Sequence, residues 1–204
     1  MNRIYNAGYY EDYDNAFVEG NGVMYSDKEK LYPFFEHIAD KIVTNYAPKT
    51  VLDVGCAYGY LVEALRKKGV EAYGIDVSEY AIRQADESIK PYVFVNSAEH
   101  ELPLQMPQRY DLIISIEVFE HLTLEAGEKA LQYLCGLTDT FIFSSTDSDI
   151  QDITHINVQR KEYWAKFFAK QGFFRDVQQR PTYIAECADT YRKRNDICDV
   201  IQEY

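Results

Sequence analysis

Short, continuous apolar runs alternate with amphipathic stretches from residue 31 onward, and this rhythm restricts the fold more than any other feature. "TVLDVG", "EAYGIDV", "YVFVNS", "YDLIISI" and "TFIFSST" read as strands, each too apolar for one face to meet water. Helical spacing lies between them. "KLYPFFEHIADKIVTNY" places Leu31, Phe34, Phe35, Ile38, Ile42 and Val43 on one stripe, and "YLVEALRKKG" closes at Gly69. "SEYAIRQADESI" opens at Ser78, "LEAGEKALQYLCGL" follows the fourth strand, and "RKEYWAKFFAKQG" closes at Gly172. The pattern predicts an α/β fold, a doubly wound, mostly parallel sheet with helices on both faces. Ligands bind such sheets beyond the carboxyl ends of the strands.

Residues 31–204 are expected to form one domain. Residues 1–30 differ, with Tyr5, Tyr9, Tyr10, Tyr13 and Tyr25 set among small and acidic residues. Two readings stand: a poorly ordered tail, or an aromatic lid over a ligand. The net charge of −12 and pI near 4.8 repel phosphate backbones, so no long nucleic acid is expected as a partner. No apolar run reaches the roughly 20 residues of a membrane span, and the first residues lack a signal peptide's apolar core. Cys56, Cys135, Cys187 and Cys198 fit no zinc or disulfide spacing, so a cytoplasmic protein with free thiols is expected. The C-terminal "ADTYRKRNDICDVIQEY" reads as a solvated helix or a dimer contact, giving a monomer or homodimer.

"VLDVGCAYGYL" puts Asp53, Gly55 and Gly59 where the first strand turns into its helix. Glycine permits the tight turn and close approach of a ligand, and the helix start offers free N–H groups. Asp76 ends the second strand, where a carboxylate can accept both hydroxyls of a ribose. The phosphate-gripping G-x-G-x-x-G spacing is missing, which excludes a dehydrogenase; an aspartate ahead of the first glycine suits a cationic or amine-bearing cofactor.

"VLDVGCAYG", "GIDVS", "NSAEHELP" and "YDLIISIEVFEHL" resemble, in order, the motifs of class I S-adenosylmethionine-dependent methyltransferases, which have a Rossmann-like fold. The resemblance runs from about residue 48 to residue 175. It implies that Asp53, Gly55, Cys56 and Gly59 line the methionine end of S-adenosyl-L-methionine. By the same resemblance Asp76 holds the ribose with Val77 beside the adenine, Ser97, Ala98 and Glu99 border the adenine ring, and Ile116 lies near the sulfonium. Two positions depart from the family: Ala57 stands where a middle glycine is common, and Ser97 where an aspartate is common.

Methyl transfer to a hydroxyl needs in-line placement and a base, a metal, or both. If a helix begins at Glu117, then Glu117, Glu120 and His121 share one face. His155 is the later histidine that could join them. Such a set suits Mg²⁺, Mn²⁺ or Fe²⁺. Glu-x-x-Glu-His with a later histidine resembles the metal site of small-RNA 2′-O-methyltransferases and of ubiquinone-pathway O-methyltransferases. That resemblance makes Glu117, Glu120, His121 and His155 the metal ligands, with His121 and His155 catalytic. Two other readings remain, a metal-free contact with substrate and a purely structural role.

The chain also resembles short bacterial methyltransferases that accompany glycosyltransferases. The expected acceptor is therefore a small molecule, a sugar or glycan intermediate with vicinal hydroxyls, which Asp147 or Asp149 could contact from the loop after the fifth strand. A small aromatic or amine metabolite is the alternative. A non-catalytic cofactor-binding subunit is the reading from another class. Trp164, with Tyr163, Phe167 and Phe168, reads as core.

Overall fold

The computed structural model describes residues 5–11, 24–149 and 152–194. The chain divides into two compact units, Met1–Ala98 and Glu99–Tyr204.

The first unit carries three parallel strands, β1 (Thr50–Val54), β2 (Glu71–Asp76) and β3 (Val93–Val95), with β2 between the others. α1 (Ala7–Glu11) and α2 (Lys28–Tyr46) precede them. Asp27 caps α2, its side chain accepting from the Lys30 amide at 3.3 Å. Leu31, Phe35, Ile38 and Ile42 form the buried stripe of α2, with Phe34 and Val43 at its margins. α3 (Tyr60–Lys67) packs on α2 and buries Leu61, Val62 and Leu65. α4 (Glu79–Gln84) is capped by Ser78 and is shorter than the sequence suggested; a 3-10 turn at Lys90–Tyr92 leads into β3.

The second unit begins with β4 (Leu112–Ile116), which pairs in parallel with β5 (Thr140–Ser144). α5 (Leu124–Cys135), capped by Thr123, lies between them in sequence, and α6 (Lys161–Lys170) follows β5. β6 (Phe173–Arg175) and β7 (Asp189–Lys193) were not anticipated as strands. β7 runs antiparallel to both β5 and β6.

The strand at Asp189–Lys193 corrects the helix expected for this stretch. Asp189, Thr190 and Tyr191 are buried, and Tyr191 stacks on Phe168 at 3.9 Å between ring centroids. Two of the charges that suggested a solvated helix are paired instead: Asp189 with Arg175 and Arg180, and Arg192 with Asp176. The remainder of the C-terminal stretch, from 195 onward and including Cys198, lies outside the described residues, as does Tyr13. Trp164 is 1% exposed and sits edge-on to Phe119, which agrees with its reading as core. Among the described residues no helix is long and apolar enough to cross a membrane.

Candidate functional site

Each unit holds a group of candidate functional side chains. In the first, the turn after β1 is built from left-handed backbone: Gly55 has φ 79°, Ala57 46° and Gly59 76°. The amides of Gly55 and Cys56 both donate to the Ile75 carbonyl, at 2.8 and 3.0 Å. Glycine is needed at 59 for space as well as for φ, since a Cβ there would meet Ile89 Cδ1 at 2.6 Å. Ala57 takes the left-handed conformation despite its methyl group. Its amide is held by Asp76 Oδ2 at 2.8 Å. Gly74 in β2 gives the turn room, because a Cβ there would lie 2.6 Å from Cys56 Sγ.

Asp53 and Asp76 are both buried here, at 5% and 8% exposure. Burial, reinforced by the neighbouring Asp76, raises the Asp53 carboxyl to about 7. Burial raises Asp76 to about 6, against the lowering effect of bonds from the amides of Ser78 and Ala57. Asp76 Oδ1 accepts from Ser78 N at 2.7 Å, and Oδ2 from Ala57 N. A carboxylate has about four acceptor positions, so two remain, the number that a ribose diol requires. A pair of buried acids beside a glycine turn therefore fits a ligand with a diol and a cationic end. Cys56 is buried and Val77 half-buried on the same segments; Ser97 is half-buried and Ala98 buried after β3.

Tyrosines from the start of the chain pack over these acids. Tyr10 and Tyr25 are buried, their rings 5.8 Å apart, and both touch Tyr58. Burial raises both phenols, and the nearby carboxylates add to it, mainly Asp76 for Tyr10 and Asp53 for Tyr25. Ser78 Oγ donates to the Tyr5 carbonyl at 2.7 Å.

In the second unit, Glu117, Glu120 and His121 do not share a helical face. Glu117 is left-handed, with φ 51°, and a 3-10 turn begins only at Phe119. The Glu117 amide donates to the carbonyl and the hydroxyl of Ser144, each at 3.2 Å. That anchorage to the end of β5 prevents the helix expected at this point. Cys187 Sγ donates to Glu117 Oε1 at 3.4 Å.

The structure does bring together Glu120, His121 and His155, one ligand atom of each lying within 4.8 Å of the others. Asn157 makes the junction: its backbone amide donates to the Glu120 carbonyl at 2.9 Å and its side-chain amide to the Phe119 carbonyl at 3.2 Å. The two imidazole rings meet edge to face, with centroids 4.7 Å apart. Glu120 is fully buried, and its Oε2 has no hydrogen-bond partner. Burial, together with the Glu117 charge, raises its carboxyl well above the ordinary range. Burial and the neighbouring His155 lower His121 to about 4, so it is a neutral imidazole at physiological pH. A buried carboxyl oxygen lacking a partner, beside the neutral His121 imidazole and a second histidine, is a donor set suited to a divalent cation.

Glu99 and Ile116 are half-buried in this unit. Asp149 serves the cluster rather than standing apart, since its carbonyl accepts from His155 Nδ1 at 2.9 Å. Asp152 and Thr154, which no sequence motif singled out, touch the histidines as well.

Residues 28–134, just over half of the chain, match the family described as a methyltransferase domain. The ubiquinone biosynthesis O-methyltransferase of Nitrosomonas europaea is 30% identical over 96 residues, 45% of this chain and 41% of that protein. The enzyme of the same name from Paraburkholderia phytofirmans is 38% identical over 40% of this chain and 37% of its own length. The chain thus spans about two fifths of the length of these relatives. Among solved structures, magnesium protoporphyrin IX methyltransferase from Synechocystis with bound SAM superposes with a TM-score of 0.61 at 15% identity, covering 93% of this chain and 95% of that one. The 1,6-didemethyltoxoflavin-N1-methyltransferase of Burkholderia thailandensis gives a TM-score of 0.63 at 15% identity, over 83% and 82%. These likenesses show the Rossmann-like, mostly parallel α/β fold.

Proposed function

The chain belongs to the methyltransferase domain family, and from that premise we propose that it is an S-adenosylmethionine-dependent O-methyltransferase of a small acceptor with vicinal hydroxyls, assisted by a divalent metal. The observation that carries the metal-assisted reading is the convergence of Glu120, His121 and His155 within 4.8 Å, with Glu120 Oε2 unpartnered.

The cofactor supplies an electrophilic methyl group, and a bound cation would acidify an acceptor hydroxyl. The residues of the chain do the rest. Asp76 offers its two remaining acceptor positions to the ribose, and Asp53 offers negative charge to the cationic end. Tyr10 and Tyr25 keep water from these acids, which supports the reading of the tyrosine-rich start as a lid. Glu120, His121 and His155 would hold the cation, with Glu117 adjoining Glu120. An imidazole held near 4 is a weak base. It therefore suits ligation, or proton acceptance from a hydroxyl already acidified, better than unaided deprotonation.

A sugar or glycan intermediate is the acceptor we favour, in the cytoplasm and with the enzyme a monomer or homodimer. An aromatic diol is the second reading, supported by the relatives named as ubiquinone biosynthesis O-methyltransferases. The test is methyl transfer from labelled cofactor to matched panels of glycosides and catechols, each with a mono-hydroxy analogue, before and after chelation. Loss of activity in chelator, its return with Mg²⁺ or Mn²⁺, and rejection of the mono-hydroxy analogues are expected. Full activity in chelator would remove the metal, and equal use of mono-hydroxy acceptors would remove the diol. Cofactor binding without turnover on any acceptor would leave a binding subunit.

A further inference from the structure

His121 and His155 meet in the candidate metal cluster, but their rings are held in different ways. His155 Nδ1 lies 2.9 Å from the Asp149 carbonyl. A carbonyl only accepts, so this nitrogen carries the hydrogen. His121 Nδ1 faces a side chain: Thr154 Oγ1 at 3.0 Å, with the Thr154 carbonyl further away at 3.3 Å. The carbonyl only accepts and favours a donating Nδ1, whereas the nearer hydroxyl can donate or accept, so the hydroxyl alone would not decide which nitrogen of His121 is protonated.

Asp152 decides it. Its Oδ1 lies 2.7 Å from both the hydroxyl and the amide of Thr154. A carboxylate accepts only, so the single hydroxyl proton of Thr154 points to Asp152. The oxygen lone pairs are then turned to His121, whose Nδ1 must donate. We propose that Asp152 and Thr154 are positioning residues that hold His121 as the Nδ1–H tautomer, so that Nε2 carries the lone pair for the acceptor or the cation. Both act through the Nδ1 side of His121, while the other Asp152 oxygen, Oδ2, lies 3.7 Å from His155 Nε2.

The arrangement is compact in sequence. Asp152, Thr154 and His155 lie in one short segment, and a single loop thereby orients one histidine while contributing the other. The His155 amide donates to the Asp152 carbonyl at 3.0 Å, so the residue that orients His121 also shapes the backbone turn under His155. Hydrogen-bond partners behind a ligating imidazole commonly set its tautomer in this way.

The importance of the tautomer for turnover rests on the function proposed above; the tautomer itself does not. The test is long-range proton–nitrogen correlation spectroscopy on the ¹⁵N-labelled full chain near neutral pH, which distinguishes Nδ1–H from Nε2–H imidazole without any acceptor or cofactor. The wild-type His121 signals, assigned by their loss in His121→Gln, are expected in the Nδ1–H pattern. Thr154→Val should move them toward the Nε2–H pattern, and Thr154→Ser should restore the wild-type pattern. A wild-type His121 in the Nε2–H form overturns the proposal, and needs no variant to fold. An unchanged His121 pattern in folded Thr154→Val overturns it as well. Where methyl transfer is established, Thr154→Val should lower kcat about tenfold with little change in KM for either substrate, with rescue by Thr154→Ser. Loss through KM alone would assign Thr154 to substrate binding and overturn the positioning role.

Discussion

Replacing Asp53 by asparagine should stabilise the ligand-free protein, by an amount that depends on pH. The Asp53 carboxyl is 5% exposed and is raised from 3.8 to about 7. At about 1.36 kcal/mol for each tenfold change in the ionisation constant, ionising it in the fold costs about 4 kcal/mol relative to the unfolded chain. A carboxyl raised on folding retains its proton in the native state while the unfolded chain has lost it. Stability therefore falls as pH rises from about 4 to about 7, and the whole cost is present above that range. An asparagine at this position cannot ionise in either state. The gain from Asp53→Asn should be under about 1 kcal/mol at pH 4 and should grow by about 3–4 kcal/mol on going to pH 8. Urea unfolding at the two pH values measures it. With a slope near 2–3 kcal/mol per molar, the midpoint of the variant should move up relative to wild type by roughly 1–2 M more at pH 8. Changes in packing or in amide hydrogen bonds contribute nearly equally at both pH values and cancel in the difference. An equal effect at pH 4 and pH 8 would show that Asp53 is not an expensively buried acid. The same variant should lose cofactor affinity by about tenfold or more, which separates the group's cost to the fold from its use.

Cofactor affinity in the wild type should weaken as pH falls through about 7 to 6, where Asp53 and then Asp76 take up protons; calorimetry across that range measures it, and a flat profile would count against a cationic ligand at these acids. Gly74→Ala should destabilise by about 1–3 kcal/mol in thermal melts, because its Cβ would lie 2.6 Å from Cys56 Sγ and 2.8 Å from Cys56 Cβ, forcing the turn to shift. Ala57→Gly should stabilise by about 1 kcal/mol or less, since φ 46° is strained for alanine and free for glycine; a loss of stability would mean that the methyl group packs usefully.

The first unit was legible because its chemistry follows the chain. Strand, glycine turn, helix and second strand come in sequence order, and Asp53 and Asp76 are read at the strand positions where the structure buries them. Only Ala57 bent the rule, and it did so by adopting the glycine-like φ. The second unit was less legible because its contacts join distant segments. Helical spacing grouped Glu117 with Glu120 and His121, but a bond to Ser144, 27 residues further on, turned Glu117 out of that frame. His155 could be chosen only by its place after the fifth strand and by resemblance, for its approach to His121 depends on Asn157 binding the Phe119–His121 turn. β7 was misread because Asp189 and Arg192 look solvated until their partners on distant segments are known.

The burial of Trp164 against Phe119 has an optical consequence. It is the one tryptophan among 18 tyrosines in the chain, and Phe119 directly precedes Glu120. Light absorbed only by indole therefore reports from the unit that carries the imidazole pair. The tyrosines packed over Asp53 and Asp76 have their own absorption, which should shift when a ligand displaces or covers Tyr10 and Tyr25. A single unlabelled sample thus offers two colours, and titrating a cation and then the cofactor would be followed in each.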